Sequence, residues 1–469
     1  MRINSDSLRG FLEDMGKKAF PQPSVDELFS LESPRPSLTV DVTDSTGGLL
    51  GFLVIDTLIP GICSGGIRMA SDVTREEVAH LARAMTHKFA FKNSFIGGAK
   101  AGITLSPAAP PQQKKEALTT FGQKLGPIMK ALYSPGGDIG VGPDDLDLVK
   151  QGAGLPCIKT PGTYKGGFTT AFGVYLSVQS MVEKLAGRLE GCSVALEGYG
   201  NVGRPLARFL VEGGARIVAL STIRGGLHNT GGLDLARLEK LADRWGDRVV
   251  EKYENADKID RAALFAVDAA ILIPGARAWS IHEKNAASVK ARAVIPAANI
   301  PVTRGAANML RDAGIVYIPE FVTTGGGILG GQLYNRGFPE KDVLHIMTRT
   351  FRTRLNRLFE LADAFGITIE EQALRLAKEN FIRGNKEAAY KKSRARYYLF
   401  LMKKEKSILP IFRRTAGRLY HRLPPRLSPL RRLLKASAMA DVYRYAMSDV
   451  KHYPALPSRK KKRKISQKA

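Results

Sequence analysis

Apolar residues recur at helical spacing in one long segment near the N-terminus, DVTREEVAHLARAMTHKFAF (residues 72–91). One face carries the apolar residues, which are Val78, Leu81, Ala82, Met85 and Phe89. Asp72 or Thr74 is suited to cap the first turn, and Glu77 follows Thr74 at the spacing of a capping box. The pattern predicts a helix with Lys88 near its C-terminal end.

Farther along the chain, short apolar runs alternate with helical patterns. The strand patterns are CSVALEG, ARIVALST, DAAILIPGA, AVIPAAN and GIVYIP, and VGRPLARFLVEGG is helical. This alternation predicts a doubly wound parallel sheet, the Rossmann arrangement, over residues 166–339. We predict an α/β domain over residues 1–165, helices that return to it over 340–395, and a C-terminal extension over 396–469.

The composition is that of an ordinary globular α/β protein. The 469 residues are enough for two or three domains, and 44% of them are hydrophobic. The three cysteines are far apart, which argues against a zinc site or a disulfide scaffold and favours a reducing compartment. The N-terminus shows no apolar signal segment, and no apolar run is long enough to span a bilayer. We therefore expect a cytoplasmic protein without a metal.

The net charge of +27 is concentrated at the C-terminal end. From Phe381 onward the chain carries 26 Lys and Arg against 4 Asp and Glu, which leaves only about +5 for everything before it. The part of the chain before Phe381 is therefore not expected to be strongly basic. Three interpretations of the extension stay open: a helix packed on its own or a neighbouring subunit, a polyanion-binding segment, or a basic amphipathic segment on an anionic membrane.

A glycine motif, EGYGNVG, joins the first strand of the alternating region to its first helix. Gly198, Gly200 and Gly203 have the G-x-G-x-x-G spacing, with Asn201 and Val202 between the last two. In this context the motif predicts a turn that binds the pyrophosphate of a dinucleotide. The alternative is a glycine turn with no ligand.

The second strand of that region ends without the usual acidic residue. Thr222 and then Arg224 stand where a carboxylate would bond the ribose 2′-hydroxyl of NAD and repel the 2′-phosphate of NADP. This substitution predicts that NADP is accepted, slightly in preference to NAD. The alternative for Arg224 is a solvated loop charge.

Lys88, Lys100 and Asp138 are candidates for chemistry in the first domain. Lys100 lies in GGAKAGI and Asp138 in GGDIGVG, and we expect these small neighbours to let a substrate approach the backbone. A partly desolvated lysine has a lowered pKa, which suits proton chemistry. Taken singly, each lysine has a surface alternative, and an aspartate is common in turns.

The chain resembles the glutamate/leucine/phenylalanine/valine dehydrogenases over about residues 40–380. The motifs that carry this resemblance are GGIRM, MTHK, GGAKAGI, GDIGVG, TTAFGVY, EGYGNVG and AANIPVT, in that order. The resemblance implies a homo-oligomeric oxidoreductase that interconverts an amino acid and its 2-oxo acid. Glutamate enzymes carry a lysine immediately before the GG-x-R motif, whereas this chain has Ser64. The substrate is therefore expected to be apolar, as in the leucine and phenylalanine branch.

The resemblance also implies roles for residues of the first domain. Lys88 would bind the substrate α-carboxylate, and Lys100 would polarise the carbonyl and stabilise the carbinolamine. Asp138 would shuttle protons between ammonia, water and the intermediate. Gly66 would help to shape the substrate site.

In the second domain, Thr170 would bond the nicotinamide carboxamide and Asn299 would lie near the nicotinamide. Thr324 departs from the family, because it replaces an asparagine that reaches the active site. A rival interpretation is therefore a weakly active or non-catalytic paralogue that binds polyanions through its extension. The lysines and Asp138 favour the enzyme, an NAD(P)-dependent amino acid dehydrogenase.

Overall fold

The computed structural model describes residues 2–4, 22–30, 33–58, 62–94, 96–157, 166–335 and 338–390. These residues fall into two compact units. The first unit contains the described residues up to 157 together with 376–390, and the second contains 166–375. The predicted domain boundaries stay predictions, and the basic extension at 396–469 lies outside the described residues.

The described part of the first unit is built on one mixed sheet. Its strands are β1 (Arg2–Asn4), β2 (Leu38–Thr43), β3 (Leu49–Ile55), β4 (Cys63–Met69), β5 (Gly97–Ile103) and β6 (Tyr133–Gly137). Its helices before residue 157 are α1 (Val25–Leu28), α2 (Arg75–Phe91), α3 (Pro111–Ala131) and α4 (Pro143–Gly152). The strand order is β1-β2-β3-β5-β4-β6, and β4 runs parallel to both β5 and β6.

The two faces of this sheet differ in what covers them. On β5, Ala99, Ala101 and Ile103 belong to an apolar core shared with α3 and α4. The alternate residues point to the other face, which α2 covers. A methyl group added at Gly98 would overlap Thr86, and one added at Gly102 would come within 2.9 Å of Val78. These two glycines therefore serve the close packing of α2.

The second unit contains a seven-stranded sheet among its described residues. Its strands are β7 (Ser193–Glu197), β8 (Arg216–Thr222), β9 (Gly225–His228), β10 (Asp257–Ile259), β11 (Ile271–Ile273), β12 (Ala293–Val294) and β13 (Val316–Tyr317). The helices are α5 (Gly166–Lys184), α6 (Gly203–Glu212), α7 (Leu235–Trp245), α8 (Val249–Lys252), α9 (Arg304–Asp312), α10 (Glu320–Thr323), α11 (Gly326–Asn335), α12 (Glu340–Phe365) and α13 (Ile369–Tyr390). Residues of α13 from 376 onward belong to the first unit.

The predicted parallel sheet is confirmed for its five predicted strands, and two further strands that the patterns did not predict form one edge. The order is β10-β9-β8-β7-β11-β12-β13. The five strands β8, β7, β11, β12 and β13 run parallel, whereas β9 pairs antiparallel with both β8 and β10. Only Ile223 and Arg224 join β8 to β9. A link of two residues permits a hairpin but is far too short for the crossover that parallel strands need.

The described residues contain neither a membrane-spanning helix nor a metal-binding cluster. No helix there is long and apolar enough to cross a membrane. In the same part of the chain, no group of three or more His, Cys, Asp or Glu residues is arranged to hold a metal ion.

Candidate active site

Lys100 and Asp138 form a buried ion pair in the first unit. Lys100 lies on β5 with 3% of its side chain exposed, and its Nζ is 3.0 Å from Oδ2 of Asp138. Asp138 directly follows β6, and 14% of its side chain is exposed. The parallel pairing of β4 with both neighbours brings these residues, which are 38 positions apart in the sequence, to one end of the sheet.

The surroundings set the protonation of both groups. Burial alone would raise the pKa of the Asp138 carboxyl, but the positive charges of Lys100 and Arg68 and their hydrogen bonds hold that pKa at about 2. Burial lowers the pKa of Lys100, with the negative charge of Asp138 opposing this and the positive charge of Arg68 adding to it. The arrangement pairs an ionised carboxylate with an amine that loses its proton more easily than a free lysine.

Two further charged residues join this pair, and the sequence did not reveal them as site residues. Arg68 of β4 donates from Nε to Oδ2 of Asp138 at 3.1 Å and from Nη1 to Oε1 of Glu77 at 2.6 Å. The GG-x-R motif was the only signal that pointed to Arg68. Glu77 lies in the first turn of α2, where Thr74 accepts a hydrogen bond from its backbone N–H. The predicted capping box is only half formed, because the Glu77 carboxylate pairs with Arg68.

Gly66 and Ser64 lie on β4 next to these charges. A methyl group added at Gly66 would come 2.8 Å from the carbonyl oxygen of Gly137 and 3.0 Å from Cβ of Asp138, so this glycine allows the end of β6 to lie close. Ser64 is half-buried, and its hydroxyl donates to the carbonyl of Ser134 at 2.9 Å. Alternation along β4 places Ser64, Gly66 and Arg68 on the same face of the sheet.

Lys88 is buried in the last turn of α2, with 5% of the residue exposed. Eleven residues make close to three helical turns, so Lys88 lies on the same side of α2 as Glu77, about 16 Å farther along the axis. That side of the helix contacts Arg68. Helical spacing thus puts Lys88 on the side of α2 that contacts the Asp138 cluster.

The three glycines of the EGYGNVG turn have three different surroundings. Gly198 has φ +91°, a left-handed conformation that tight turns assign to glycine. A methyl group at Gly203 would collide with the carbonyl oxygen of Gly198, so the third glycine allows α6 to start close to β7. A methyl group at Gly200 would meet no protein atom within 4 Å. The second glycine therefore leaves open space, as the approach of a pyrophosphate requires.

We expect Gly200→Ala to weaken dinucleotide binding without weakening the fold. The space at Gly200 holds no protein atom within 4 Å, so the melting temperature should change by no more than about 2 °C. The dissociation constant for NADH or NADPH, measured by fluorescence titration, should rise roughly tenfold or more, because the methyl group occupies the phosphate position. Gly142→Ala, at an exposed glycine whose added methyl group would come no closer than 3.7 Å to another side chain, is the binding control. Unchanged affinity in Gly200→Ala would remove this turn from the cofactor site.

The start of α5 lies against the same turn. A methyl group at Gly167 would overlap the carbonyl of Asn201, and the exposed Asn201 precedes Val202, the N-cap of α6. Val202 provides no side-chain cap for α6, whose first N–H groups suit an anion. Thr170, one turn into α5, donates its hydroxyl to the Gly166 carbonyl at 2.8 Å. The structure thus brings Thr170, Asn201 and Val202 into one region.

Thr222 and Arg224 lie at the end of β8. The buried Thr222 hydroxyl donates to the carbonyl of Asp247 at 2.7 Å and accepts from the Arg224 backbone N–H at 3.1 Å. A cavity of about 510 Å³ lies beside the glycine turn, and Gly200, Asn201 and Asp247 contribute to its lining. The hydroxyl of Thr222 is therefore engaged within the protein, and the backbone of Asp247 lies close to this strand end.

Two arginines also line this cavity, and both are paired. Arg204 forms an ion pair with Asp243, and Arg208 with Glu239. These pairs leave little excess positive charge from α6 to attract a 2′-phosphate.

The loops after β11 and β12 are tied together near Asn299. Trp279 donates its backbone N–H to the carbonyl of Ile300 at 2.9 Å, and both residues have positive φ, +56° and +45°. A β-branched residue in this conformation is strained, and such strain is concentrated at functional sites. The half-buried Asn299 directly precedes Ile300.

Glu197, at the end of β7, is a third charged residue that the sequence did not single out. Its buried carboxylate oxygen Oε2 accepts from Gly275 N at 3.2 Å, Ala276 N at 3.3 Å and Ser280 Oγ at 3.0 Å. It thereby ties the glycine turn to the loop after β11. Burial raises the pKa of Glu197, although these hydrogen bonds act to lower it. Thr324 is buried, and its hydroxyl donates to the Glu320 carbonyl at 2.6 Å. This is the bond that a threonine at the end of a helix makes to the carbonyl one turn earlier.

Comparison with known proteins places both units in one family. The family model described as Glutamate/Leucine/Phenylalanine/Valine dehydrogenase matches residues 162–379, and the model of that family's dimerisation domain matches residues 37–153. The NADP-specific glutamate dehydrogenase of Synechocystis is 31% identical over 326 residues, which cover 64% of this chain and 76% of that protein. The NAD-specific glutamate dehydrogenase of Staphylococcus aureus is 32% identical over 285 residues, 57% of this chain and 67% of that protein.

A solved structure shows the same fold. The hetero-hexameric glutamate dehydrogenase of Thermus thermophilus, in its Leu-bound form, superposes with a TM-score of 0.67 at 23% identity, covering 81% of this chain and 95% of that chain. Together with the two family models, these relatives show that the chain belongs to the glutamate/leucine/phenylalanine/valine dehydrogenase family.

Proposed function

We propose that the protein catalyses the NAD- or NADP-dependent, reversible oxidative deamination of an L-amino acid to its 2-oxo acid and ammonia. The observation that carries this proposal is the buried contact of 3.0 Å between Lys100 Nζ and Asp138 Oδ2. An amine of lowered pKa beside an ionised carboxylate provides the acid and the base that the addition of water and the loss of ammonia require. The nicotinamide accepts the hydride from the substrate Cα when the cofactor is bound.

Each residue of the cluster has a chemical task in this scheme. Lys88 binds the substrate α-carboxylate. Lys100, in a nearly dry environment, stabilises negative charge on the oxygen of the carbinolamine far better than water would. Asp138 takes protons from the attacking water and gives them to the departing ammonia. The three side chains are buried or nearly so, which strengthens these electrostatic interactions.

Either nicotinamide cofactor suits the second unit. Relatives of similar identity are named as NAD-specific and as NADP-specific enzymes. The absence of a carboxylate at Thr222 supports acceptance of NADP, whereas Asp247 and the paired arginines of α6 give a 2′-phosphate little added attraction. We propose that NADP is accepted at least as well as NAD.

We further propose that the substrate side chain is apolar. Ser64 occupies the position at which the glutamate enzymes of this family carry a lysine. The hydroxyl of Ser64 already donates to the Ser134 carbonyl. A side-chain carboxylate bound there would lose its hydration without gaining a cation, which is costly. The relatives reported above are named glutamate dehydrogenases, so an apolar preference would differ from what their names say they act on.

We expect kcat/KM to be higher for 2-oxoisocaproate or phenylpyruvate than for 2-oxoglutarate, by roughly 10² or more. The reason is that the site offers no cation to the second carboxylate of 2-oxoglutarate. Initial rates of NADH and NADPH oxidation with ammonia measure this ratio. Ser64→Lys should raise the relative rate with 2-oxoglutarate, and Ser71→Lys, at an exposed position, is its control. A clear preference of the wild type for 2-oxoglutarate would refute the apolar assignment.

We also propose that the protein works as a homo-oligomer. This proposal is supported by the family model that matches residues 37–153, which is described as a dimerisation domain. The Thermus relative is described as a hetero-hexamer, so it supports assembly but not identical subunits.

A further inference from the structure

A buried arginine donates hydrogen bonds both to the proposed catalytic carboxylate and to a buried glutamate. We propose that Arg68 and Glu77 are positioning residues for the reaction: Arg68 fixes the Asp138 carboxylate so that Oδ1 faces the substrate, and Glu77 holds Arg68 in place. This inference rests on the proposed function, because it assigns Asp138 to the reacting site.

The hydrogen bonds of Asp138 are unevenly divided between its two oxygens. Oδ2 accepts from Arg68 Nε at 3.1 Å and lies 3.0 Å from Lys100 Nζ, whereas Oδ1 accepts no hydrogen bond from the described residues. Two donors fixed on one oxygen determine the rotation of the carboxylate. The other oxygen is then free to exchange protons with water or ammonia, and Asp138 is the most exposed member of the cluster, at 14% of its side chain.

Arg68 can do this only because it is itself held. Its side chain is 3% exposed, and Glu77, at 6%, receives its Nη1 at 2.6 Å. Without Glu77, a buried guanidinium would share one carboxylate oxygen with a buried ammonium, and the two cations would repel each other. With Glu77, the four charges of Arg68, Lys100, Glu77 and Asp138 cancel, which is the condition for burying them together.

Glu77 also connects the cluster to α2, the helix that carries Lys88. The helix begins at Arg75 and places Glu77 in its first turn. A merely structural role would require only that Glu77 support the packing of α2 on β4. A positioning role requires in addition that the charge of Glu77 act on Lys100 through Arg68, and this second effect can be measured separately.

The charged groups that face Lys100 come from three elements. Arg68 lies on β4, Asp138 follows β6 and Glu77 lies on α2, while β3 contributes the uncharged Val54 opposite Lys100. The negative charge of Glu77 raises the pKa of Lys100. Removing that charge should therefore move the deprotonation of Lys100 to lower pH, whereas a structural role alone predicts no such movement.

Glu77→Gln and Glu77→Ala separate charge from hydrogen bonding. The glutamine can still accept from Arg68, so kcat at the optimum pH should stay within about threefold of wild type, whereas the alanine should lose about 10-fold to 100-fold in kcat with KM little changed. Glu76→Gln, at the exposed neighbouring position, is the matched control. An alanine variant that is folded and retains wild-type kcat would overturn the proposal.

A second readout does not depend on turnover. Acetic anhydride acetylates only the deprotonated amine, so the rate of Lys100 acetylation reports the deprotonation of Lys100 in the full-length protein. Mass spectrometry follows this rate over about pH 6–11, a range that spans the ordinary lysine pKa. We expect the rise of the acetylation rate with pH to occur at lower pH in Glu77→Gln than in the wild type and Glu76→Gln. Coincident curves would overturn the link between Glu77 and Lys100. A wild type without dehydrogenase activity, but with shifted curves in Glu77→Gln, would refute the proposed function while the electrostatic link held.

Discussion

Lys100→Ala is expected to lower kcat by at least about 10² to 10³, because removing one stabiliser of a developing oxyanion in a dry site typically costs that much. Lys100 is 3% exposed, so no water can replace the ammonium at comparable strength. The loss should appear in kcat more than in KM, since the charge on the carbinolamine oxygen is greatest in the transition state.

The fold should survive this substitution. Asp138 keeps Arg68 as a partner at 3.1 Å, so the change does not leave the carboxylate without a counter-ion. Lys100 is not among the residues proposed to bind the dinucleotide, so the dissociation constant for NADPH should change little. Lys115→Ala, at an exposed lysine of α3, is the control for expression and handling. A Lys100→Ala variant with more than roughly a tenth of the wild-type kcat would exclude Lys100 from the mechanism.

Asp138→Asn should reduce turnover on a similar scale, by about 10² to 10⁴, because an amide cannot take a proton from water or give one to ammonia. The amide keeps the shape of the side chain but loses the negative charge with which both Lys100 and Arg68 pair. Asp144→Asn, at an exposed position in the first turn of α4, is the control. Retention of most of the wild-type kcat would show that another group carries the protons.

The same variant has a signature in stability. A carboxyl whose pKa falls from 3.8 to about 2 on folding contributes about 2 kcal/mol, which is present above pH 4 and lost as the pH falls toward 2. Urea unfolding of the wild type should show this loss across that window, and Asp138→Asn should show less of it. Equal acid sensitivity in both proteins would mean that Asp138 is not paired as the structure indicates.

The main elements of both units were predictable because their apolar periodicity is strong. The helix predicted over residues 72–91 is observed as Arg75–Phe91, capped by Thr74. The strand and the helix that flank the EGYGNVG turn are Ser193–Glu197 and Gly203–Glu212. The G-x-G-x-x-G spacing also predicted the turn that joins them, in which each glycine meets a different steric demand.

Contacts between distant segments were not predictable from the same patterns. Small residues at Gly98 and Gly102 suggested room for a ligand, but the packed α2 fills the space beside them. Glu77 has the spacing of a capping residue, and only the three-dimensional proximity of Arg68 draws its carboxylate away. Likewise, the hydroxyl of Thr222 suggested a ribose contact, yet the chain that returns at Asp247 engages it.

Arg68 and Glu197 were missed because each lies inside a pattern that already had an explanation. Arg68 belongs to a strand motif noted for its glycines, and Glu197 is the last residue of an apolar strand. Both are nearly buried charges, which need partners, and those partners lie 9 and more residues away in sequence. Periodicity carries no information about such partners.

Incorporation of ¹⁵N from labelled ammonium tests the central claim most directly. The full-length protein would be incubated with NADPH or NADH, ¹⁵N-ammonium and each of a series of 2-oxo acids, with Lys100→Ala in parallel. The account predicts that cofactor oxidation and ¹⁵N-labelled L-amino acid appear in equal amounts with an apolar 2-oxo acid, and that both disappear in Lys100→Ala. Cofactor oxidation without labelled amino acid, or no reaction with any 2-oxo acid and either cofactor, would contradict it.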